Sequence, residues 1–170
     1  MSKKTKAIAI CGVMTAVAMI FSYIESLFPI PIPVYGVKLG IANIAIITVL
    51  FVVGKKEAFI VNIIRIALTA MLFGNLNSFL FSIAGGFLSL VVMIGLQYTK
   101  RFSTVGISVA GGVFHNIGQT IAAVFIMETG AIIYYLPVLL ISGIVTGIVI
   151  GIVSGLVVKR VKSSFFNMEN

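Results

Sequence analysis

Two apolar stretches meet at a charged turn in residues 37–73, VKLGIANIAIITVLFVVGKKEAFIVNIIRIALTAMLF. The turn is Gly54-Lys55-Lys56-Glu57, and each flanking stretch approaches the roughly 20 residues that a membrane crossing requires. Lysine and arginine collect in cytoplasmic loops, because moving them across a bilayer is costly. We therefore predict two membrane-crossing helices joined by a tight turn on the cytoplasmic side.

The same alternation of apolar stretches and basic clusters extends over the whole chain. Basic clusters at 3–6, 55–56, 100–101 and 159–162 hold ten of the 12 lysines and arginines, and they occupy every second gap. This pattern predicts an all-α, single-domain bundle of six transmembrane helices over residues 1–170, with both termini in the cytoplasm. The expected helices cover about 6–27, 37–53, 57–73, 77–98, 104–127 and 131–158.

The composition also indicates a membrane protein. Hydrophobic residues make up 60% of the chain and charged residues 9%, whereas a soluble domain carries about 25% charged residues. The net charge of +8 comes mainly from clusters that orient helices and meet anionic lipid. We expect a multi-pass protein of the cell membrane, in contact with lipid and not with nucleic acid.

The residues needed for most kinds of catalysis are missing. The chain has no aspartate, and so lacks the aspartate-rich magnesium motifs of diphosphate chemistry. It has no glycine-rich phosphate loop. One histidine, His115, and one cysteine, Cys11, do not suffice for a zinc site. We predict that the chain is not an enzyme and holds no metal or cofactor.

Polar side chains within the predicted helices are costly in lipid, so their positions are informative. Arg65 lies near the middle of the third helix, where an unpaired guanidinium costs at least about 2.5–3.5 kcal/mol. It must meet a partner that locks helices together, water, or an anionic ligand. His115 and Gln119 lie one turn apart in the fifth helix, as hydrogen-bonded core residues or as the lining of a cavity.

Further polar residues, among them Asn43 and Asn77, lie toward the predicted outer half of the bundle. Lys38, the basic residue at the outer end, either snorkels to the interface or meets Glu25, Glu128 or a ligand. An outer cavity with cations and amides suits an anionic or strongly hydrogen-bonding small molecule. The residues assigned to it are Lys38, Asn43, Arg65, Asn77, His115, Asn116 and Gln119.

Small residues at helical spacing indicate close helix packing. In the sixth predicted helix, glycine recurs at every fourth position, and in the first helix Gly12 and Ala16 form a shorter pair. The repeated glycines are Gly143, Gly147, Gly151 and Gly155.

Four strings resemble the Gx transporter family, often labelled heptaprenyl diphosphate synthase component I, within about residues 5–160. They are PVYGVKLGIANI (33–44), FLFSIAGGFLSLVVM (79–93), GISVAGGVFHNIGQ (106–119) and YYLPVLLISGIVTGIVIG (134–151). Six short helices with both ends inside are also similar to the S components of energy-coupling factor importers.

The second resemblance implies a mechanism and partners. An S component binds a vitamin-like solute on its outer side, docks on a coupling transmembrane subunit driven by two cytoplasmic ATPases, and topples to release the solute. It implies that Gly12 and Ala16 form the docking face, with glycine in place of the family's first alanine. It also implies a gate loop at 29–36, with Pro31, Pro33, Tyr35 and Gly36.

We therefore predict an S-component-like solute-binding subunit. Flavin, thiamine-like, isoprenoid and quinone-related solutes all fit this interpretation. Two alternatives stay open. The family label implies a non-catalytic membrane accessory of polyprenyl diphosphate or quinone synthesis, and the composition also fits a structural or assembly subunit without a ligand of its own.

Overall fold

The computed structural model describes residues 3–27 and 40–166. Within these residues every regular element is a helix and there is no β-strand, which confirms the all-α prediction. The elements are α1 (Lys3–Leu27), α2 (Asn43–Val52), α3 (Lys55–Phe73), α4 (Leu76–Thr99), α5 (Thr104–Met127), a 3₁₀ helix (Gly130–Tyr135) and α6 (Leu136–Phe166).

Four stretches are long and apolar enough to cross a membrane: Lys4–Leu27, Leu76–Thr99, Thr104–Met127 and Gly130–Ser163. The remaining two helices differ from these. α2 has 10 residues, or about 15 Å, and a hydrocarbon core is about 30 Å thick. α3 carries Lys55, Lys56, Glu57 and Arg65 within its length. The six crossings and the location of the termini therefore stay predictions.

Two helices start later than predicted, for identifiable reasons. α2 was expected from about position 37, but Gly40 has a φ of +83°, a left-handed conformation that does not belong in an α-helix. The α-helical part of α6 begins at Leu136 and not at 131. Pro137 lacks an N–H and its ring clashes with the preceding turn, so it fits only in the first turn of an α-helix.

The helices contact one another in the order α1, α3, α4, α5, α6, α2, and α2 closes the ring by packing on α1 and α3. α5 makes the most extensive contacts, with α4 on one side and α6 on the other. α2 is strongly enclosed by its neighbours, since seven of its ten residues are buried. A helix that is apolar on all sides is expected in such an enclosed position.

One half of the interior is mainly apolar. In α2, Ile46, Ile47, Val49 and Leu50 pack against residues of α3, α4, α5 and α6. This half lies at the end of the bundle formed by the α2–α3 and α4–α5 turns, which we call the basic end (residues 53–56 and 99–103). There Lys55 Nζ lies 2.9 Å from the centre of the Tyr98 ring.

The opposite half, which we call the polar half, contains most of the buried polar side chains. It comprises the end of α1, the start of α2, the ends of α3 and α5, and the starts of α4 and α6. Its buried polar residues are Ser22, Asn43, Asn62, Arg65, Thr69, Ser78, Ser82, His115, Asn116, Gln119 and Thr120.

Glycines bring the backbones of α5 and α6 into contact. A Cβ added to Gly143 would lie 3.0 Å from the carbonyl oxygen of Gly112, and one on Gly147 would lie 2.7 Å from Val109 Cα. Gly151 lies equally close, with 2.6 Å to Val105 Cα. Gly155 differs, because no atom lies within 4 Å of its added Cβ.

The small residues of α1 face outward. Gly12 and Ala16 are both exposed, and no atom lies within 4 Å of a Cβ added to Gly12. They therefore do not serve as a contact between helices of this chain within the described residues.

Gly147→Ala should destabilise the bundle, because its new Cβ would lie 2.7 Å from Val109 Cα. Overpacking of this kind costs about 1–3 kcal/mol. Gly155→Ala is the matched control, since both variants gain the same helix propensity of about 1 kcal/mol. Thermal unfolding of the purified protein measures the difference, and equal midpoints for the two variants would contradict the α5–α6 contact.

Candidate functional site

Arg65 is buried in α3, with 5% of its surface exposed. Its Nε and Nη2 atoms donate to Oδ1 of Asn62, one turn earlier, at 3.1 and 2.9 Å. Asn62 in turn donates from Nδ2 to the carbonyl oxygen of Gly86 in α4, at 3.1 Å. This chain of hydrogen bonds gives the cation a partner inside the bundle and joins α3 to α4.

A small cavity of about 10 Å³ lies beside Arg65. α1, α3 and α4 each contribute to its wall. Four hydroxyl-bearing side chains and the guanidinium supply its polar groups, and all five residues are buried. The lining residues are Ser22, Arg65, Ile66, Thr69, Ala70, Ser78, Phe79 and Ser82. We call this the Arg65 cavity.

The start of α4 adds to the positive potential of the Arg65 cavity. Asn75 caps this helix by accepting a hydrogen bond at Oδ1 from the Ser78 backbone N–H, at 2.8 Å. Ser78 and Phe79, in the first turn, line the cavity. The N-terminal turn of a helix carries a partial positive charge, which therefore acts near the same point as the guanidinium.

Glu25 supplies the negative charge near this cation. It lies in the last turn of α1 and interacts electrostatically with Arg65. Its Oε1 also accepts a hydrogen bond from the backbone N–H of Ile41, at 2.9 Å. Glu25 thus connects the end of α1 with the chain just before α2.

His115 and Gln119 of α5 form a second polar cluster with Asn43 of α2. We call these three residues the His115 cluster. The Gln119 amide nitrogen and Nε2 of His115 are 2.6 Å apart, and because an amide nitrogen only donates, the ring nitrogen accepts. A Cβ on Gly40 would lie 3.3 Å from His115 Cδ2 and 3.1 Å from Asn43 Nδ2. The chain before α2 therefore packs directly on the imidazole.

Two adjacent glycines of α4 separate these clusters. A Cβ on Gly85 would lie 2.8 Å from Gln119 Cγ, and one on Gly86 would lie 3.2 Å from Asn62 Nδ2. Since neither residue has a side chain, the wall between the Arg65 cavity and the His115 cluster is only as thick as the α4 backbone.

Asn116 contacts a different neighbour. Its Nδ2 donates to the carbonyl oxygen of Leu139 in α6, at 2.5 Å, and it lies beside Gly143. Asn116 therefore connects α5 to α6, and its Oδ1 has no hydrogen-bond partner within the described part of the chain.

The seven predicted cavity residues are thus distributed over several places. Asn43, His115 and Gln119 come together, while Arg65 lines a separate cavity and Asn116 lies between α5 and α6. Asn77 is exposed in the first turn of α4. Lys38 and the predicted gate residues Pro31, Pro33, Tyr35 and Gly36 lie outside the described residues.

Sequence reasoning did not assign several residues that build these clusters. The sequence does indicate that Asn62 and Thr69 lie near Arg65, because they are one turn before and one turn after it on the same helix face. No sequence pattern indicates Ser22 or Gly40, since only helix packing brings Ser22 to the Arg65 cavity and Gly40 to His115. Among the described residues, no three histidine, cysteine or acidic side chains come together as metal ligands.

Asn62→Ala should destabilise the protein by about 1.5–3 kcal/mol, because it removes the hydrogen-bond acceptor of a buried cation. Asn77→Ala is the matched control, and its exposed side chain should leave stability within about 0.5 kcal/mol. Thermal unfolding of both variants tests this. An Asn62→Ala protein as stable as the control would mean that Asn62 is not the partner that Arg65 requires.

A protein-family model described as heptaprenyl diphosphate synthase component I matches residues 14–157. The match includes α2 to α5 entirely and most of α1 and α6, and so both polar clusters. Comparison with curated proteins and with solved structures finds no match. The family match confirms the resemblance seen in the four strings. With its long apolar helices, the chain is a membrane protein that belongs to the heptaprenyl diphosphate synthase component I family.

Proposed function

We propose that this chain is the solute-binding, S-component-like membrane subunit of an energy-coupling factor importer, and that it captures a small vitamin-like or anionic solute. The observation that carries the proposal is the concentration of buried polar groups in one half of the bundle, which include Arg65, His115 and Gln119. Ionisable and amide groups inside a membrane are costly and commonly form a ligand pathway or binding site.

The charge distribution supports an orientation for this subunit. The basic end would face the cytoplasm, because lysine and arginine remain on that side. With six crossings, both termini would then be cytoplasmic, and the polar half would open toward the outside of the cell membrane. A solute would reach the Arg65 cavity and the His115 cluster from that side.

The exposed face of α1 supports the proposal of a partner. Of the four long apolar stretches, the one in α1 is the least enclosed by the rest of the chain, and Gly12 and Ala16 lie on its exposed surface. Small residues allow another helix to approach closely. A coupling transmembrane subunit would pack there and would connect this non-catalytic chain to cytoplasmic ATPases.

Mass spectrometry of the protein after mild purification tests solute capture. We expect a bound small molecule, and we expect its occupancy to fall at least about tenfold in the double variant Arg65→Ala and His115→Ala, since each tenfold corresponds to roughly 1.4 kcal/mol of binding energy. Arg101→Ala, at the exposed basic end, is the control and should retain the solute. Unchanged occupancy in the double variant would contradict a site in the polar half.

The family description favours one second function, a non-catalytic membrane accessory of polyprenyl diphosphate or quinone synthesis. The same preparation separates the two functions. Prenyl transfer by a synthase subunit that depends on this chain, in protein that carries no small solute, would support the accessory function and would contradict solute import.

A further inference from the structure

We propose that the Arg65 cavity is a subsite for a single small monoanionic group of carboxylate size, and that it binds the acidic group of the solute. This inference rests on the proposed function and makes it more specific. The site combines a buried cation, a group of hydroxyls of which one has no partner among the described residues, the start of a helix, and a small cavity.

The Arg65 guanidinium has more N–H donors than its contact with Asn62 uses. Of the five N–H bonds of an arginine, those used in hydrogen bonds belong to Nε and Nη2, and both donate to Asn62. The contact with Asn62 uses two of the five N–H bonds, one from each of these nitrogens, and leaves three. An arginine fork commonly binds a carboxylate through two parallel N–H···O bonds. Asn62 therefore orients the side chain and leaves part of the fork for a further acceptor.

Thr69 gives independent support for a missing partner. Its side chain is 4% exposed, it lines the Arg65 cavity, and its Oγ1 has no hydrogen-bond partner within the described residues. Buried hydroxyl groups almost always have a partner. Ser22, Ser78 and Ser82 surround the same space, so a bound oxygen atom would receive hydroxyl donors in addition to the cation.

The size and charge of the site limit what it can bind. A cavity of about 10 Å³ admits roughly one water-sized group, which suits one end of a carboxylate and not the two phosphoryl groups of a diphosphate. Glu25 already offsets part of the Arg65 charge, and the α4 N-terminus adds only about half a positive charge, so the positive charge left for a ligand is no more than that of one cation. A monoanion fits this balance better than a polyanion.

Thermal unfolding of the full chain in detergent tests the subsite, with acetate as the probe. At about ten times its dissociation constant, acetate should raise the midpoint by roughly 3–5 °C. Acetamide, a neutral molecule of the same shape, should not. At equal ionic strength, inorganic pyrophosphate should give a smaller shift than acetate, because it exceeds the cavity.

Thr69→Val and Arg65→Gln should each abolish the acetate shift. Thr69→Val keeps the side-chain shape and removes only the hydroxyl, so it remains informative if Arg65→Gln does not fold. Thr146→Val is the matched control, because the Thr146 hydroxyl bonds to the Ser142 carbonyl within α6, at 2.7 Å, and this variant should retain the shift.

Several results would overturn the subsite. They are an equal shift with acetamide, a larger shift with pyrophosphate, and a full acetate shift in Thr69→Val. Solute binding itself is measured separately, by mass spectrometry of the purified protein. If the protein carries a solute but does not respond to acetate, the subsite is wrong and solute binding survives. If acetate stabilises the protein through Thr69 but no solute co-purifies, the anion site stands and solute import fails.

Discussion

The burial of one arginine constrains the arrangement of half of this protein. A guanidinium in an apolar bundle needs partners at the place where it lies, because its charge is poorly solvated there. Asn62 accepts two of its hydrogen bonds and uses its own amide nitrogen to reach the Gly86 carbonyl. Glu25 adds an opposite charge from α1. Three helices must therefore approach one point, and their hydroxyl groups collect around it.

Glycine makes these approaches possible. Gly85 and Gly86 let α3 and α5 pack against the α4 backbone, and Gly143 lets Asn116 reach the Leu139 carbonyl in α6. In both places an asparagine amide donates to a backbone carbonyl of the next helix. Small residues and side-chain amides thus act together: the first bring two backbones close, and the second form hydrogen bonds across the gap.

α2 is short, and the polar half lies around the point where this helix begins. α2 ends at the basic end and spans about 15 Å, and its first residue, Asn43, is buried inside the bundle. Irregular backbone at such a depth is tolerated where protein or a cavity surrounds it. Here His115 packs on Gly40, and Glu25 accepts a hydrogen bond from the Ile41 N–H. The start of α2 and the polar clusters therefore occupy the same region of the bundle.

The amino-acid sequence by itself determined the helical class, the position of the charged turns and the presence of costly polar groups. These follow from local quantities: apolar length, the distance between basic clusters, and the mismatch between a polar side chain and lipid. α5 was predicted with its observed limits of 104–127. The family resemblance also came from the sequence alone.

Only the tertiary structure decided which polar groups meet. His115 and Asn116 are neighbours in sequence, yet one packs beside α2 and the other bonds to α6, because successive residues on a helix point about 100° apart. Ser22 and Thr69 meet at one cavity although they lie on different helices, and no local pattern connects them. Helix packing assigned these contacts, and in α4, α5 and α6 glycines without side chains set how closely the backbones could approach.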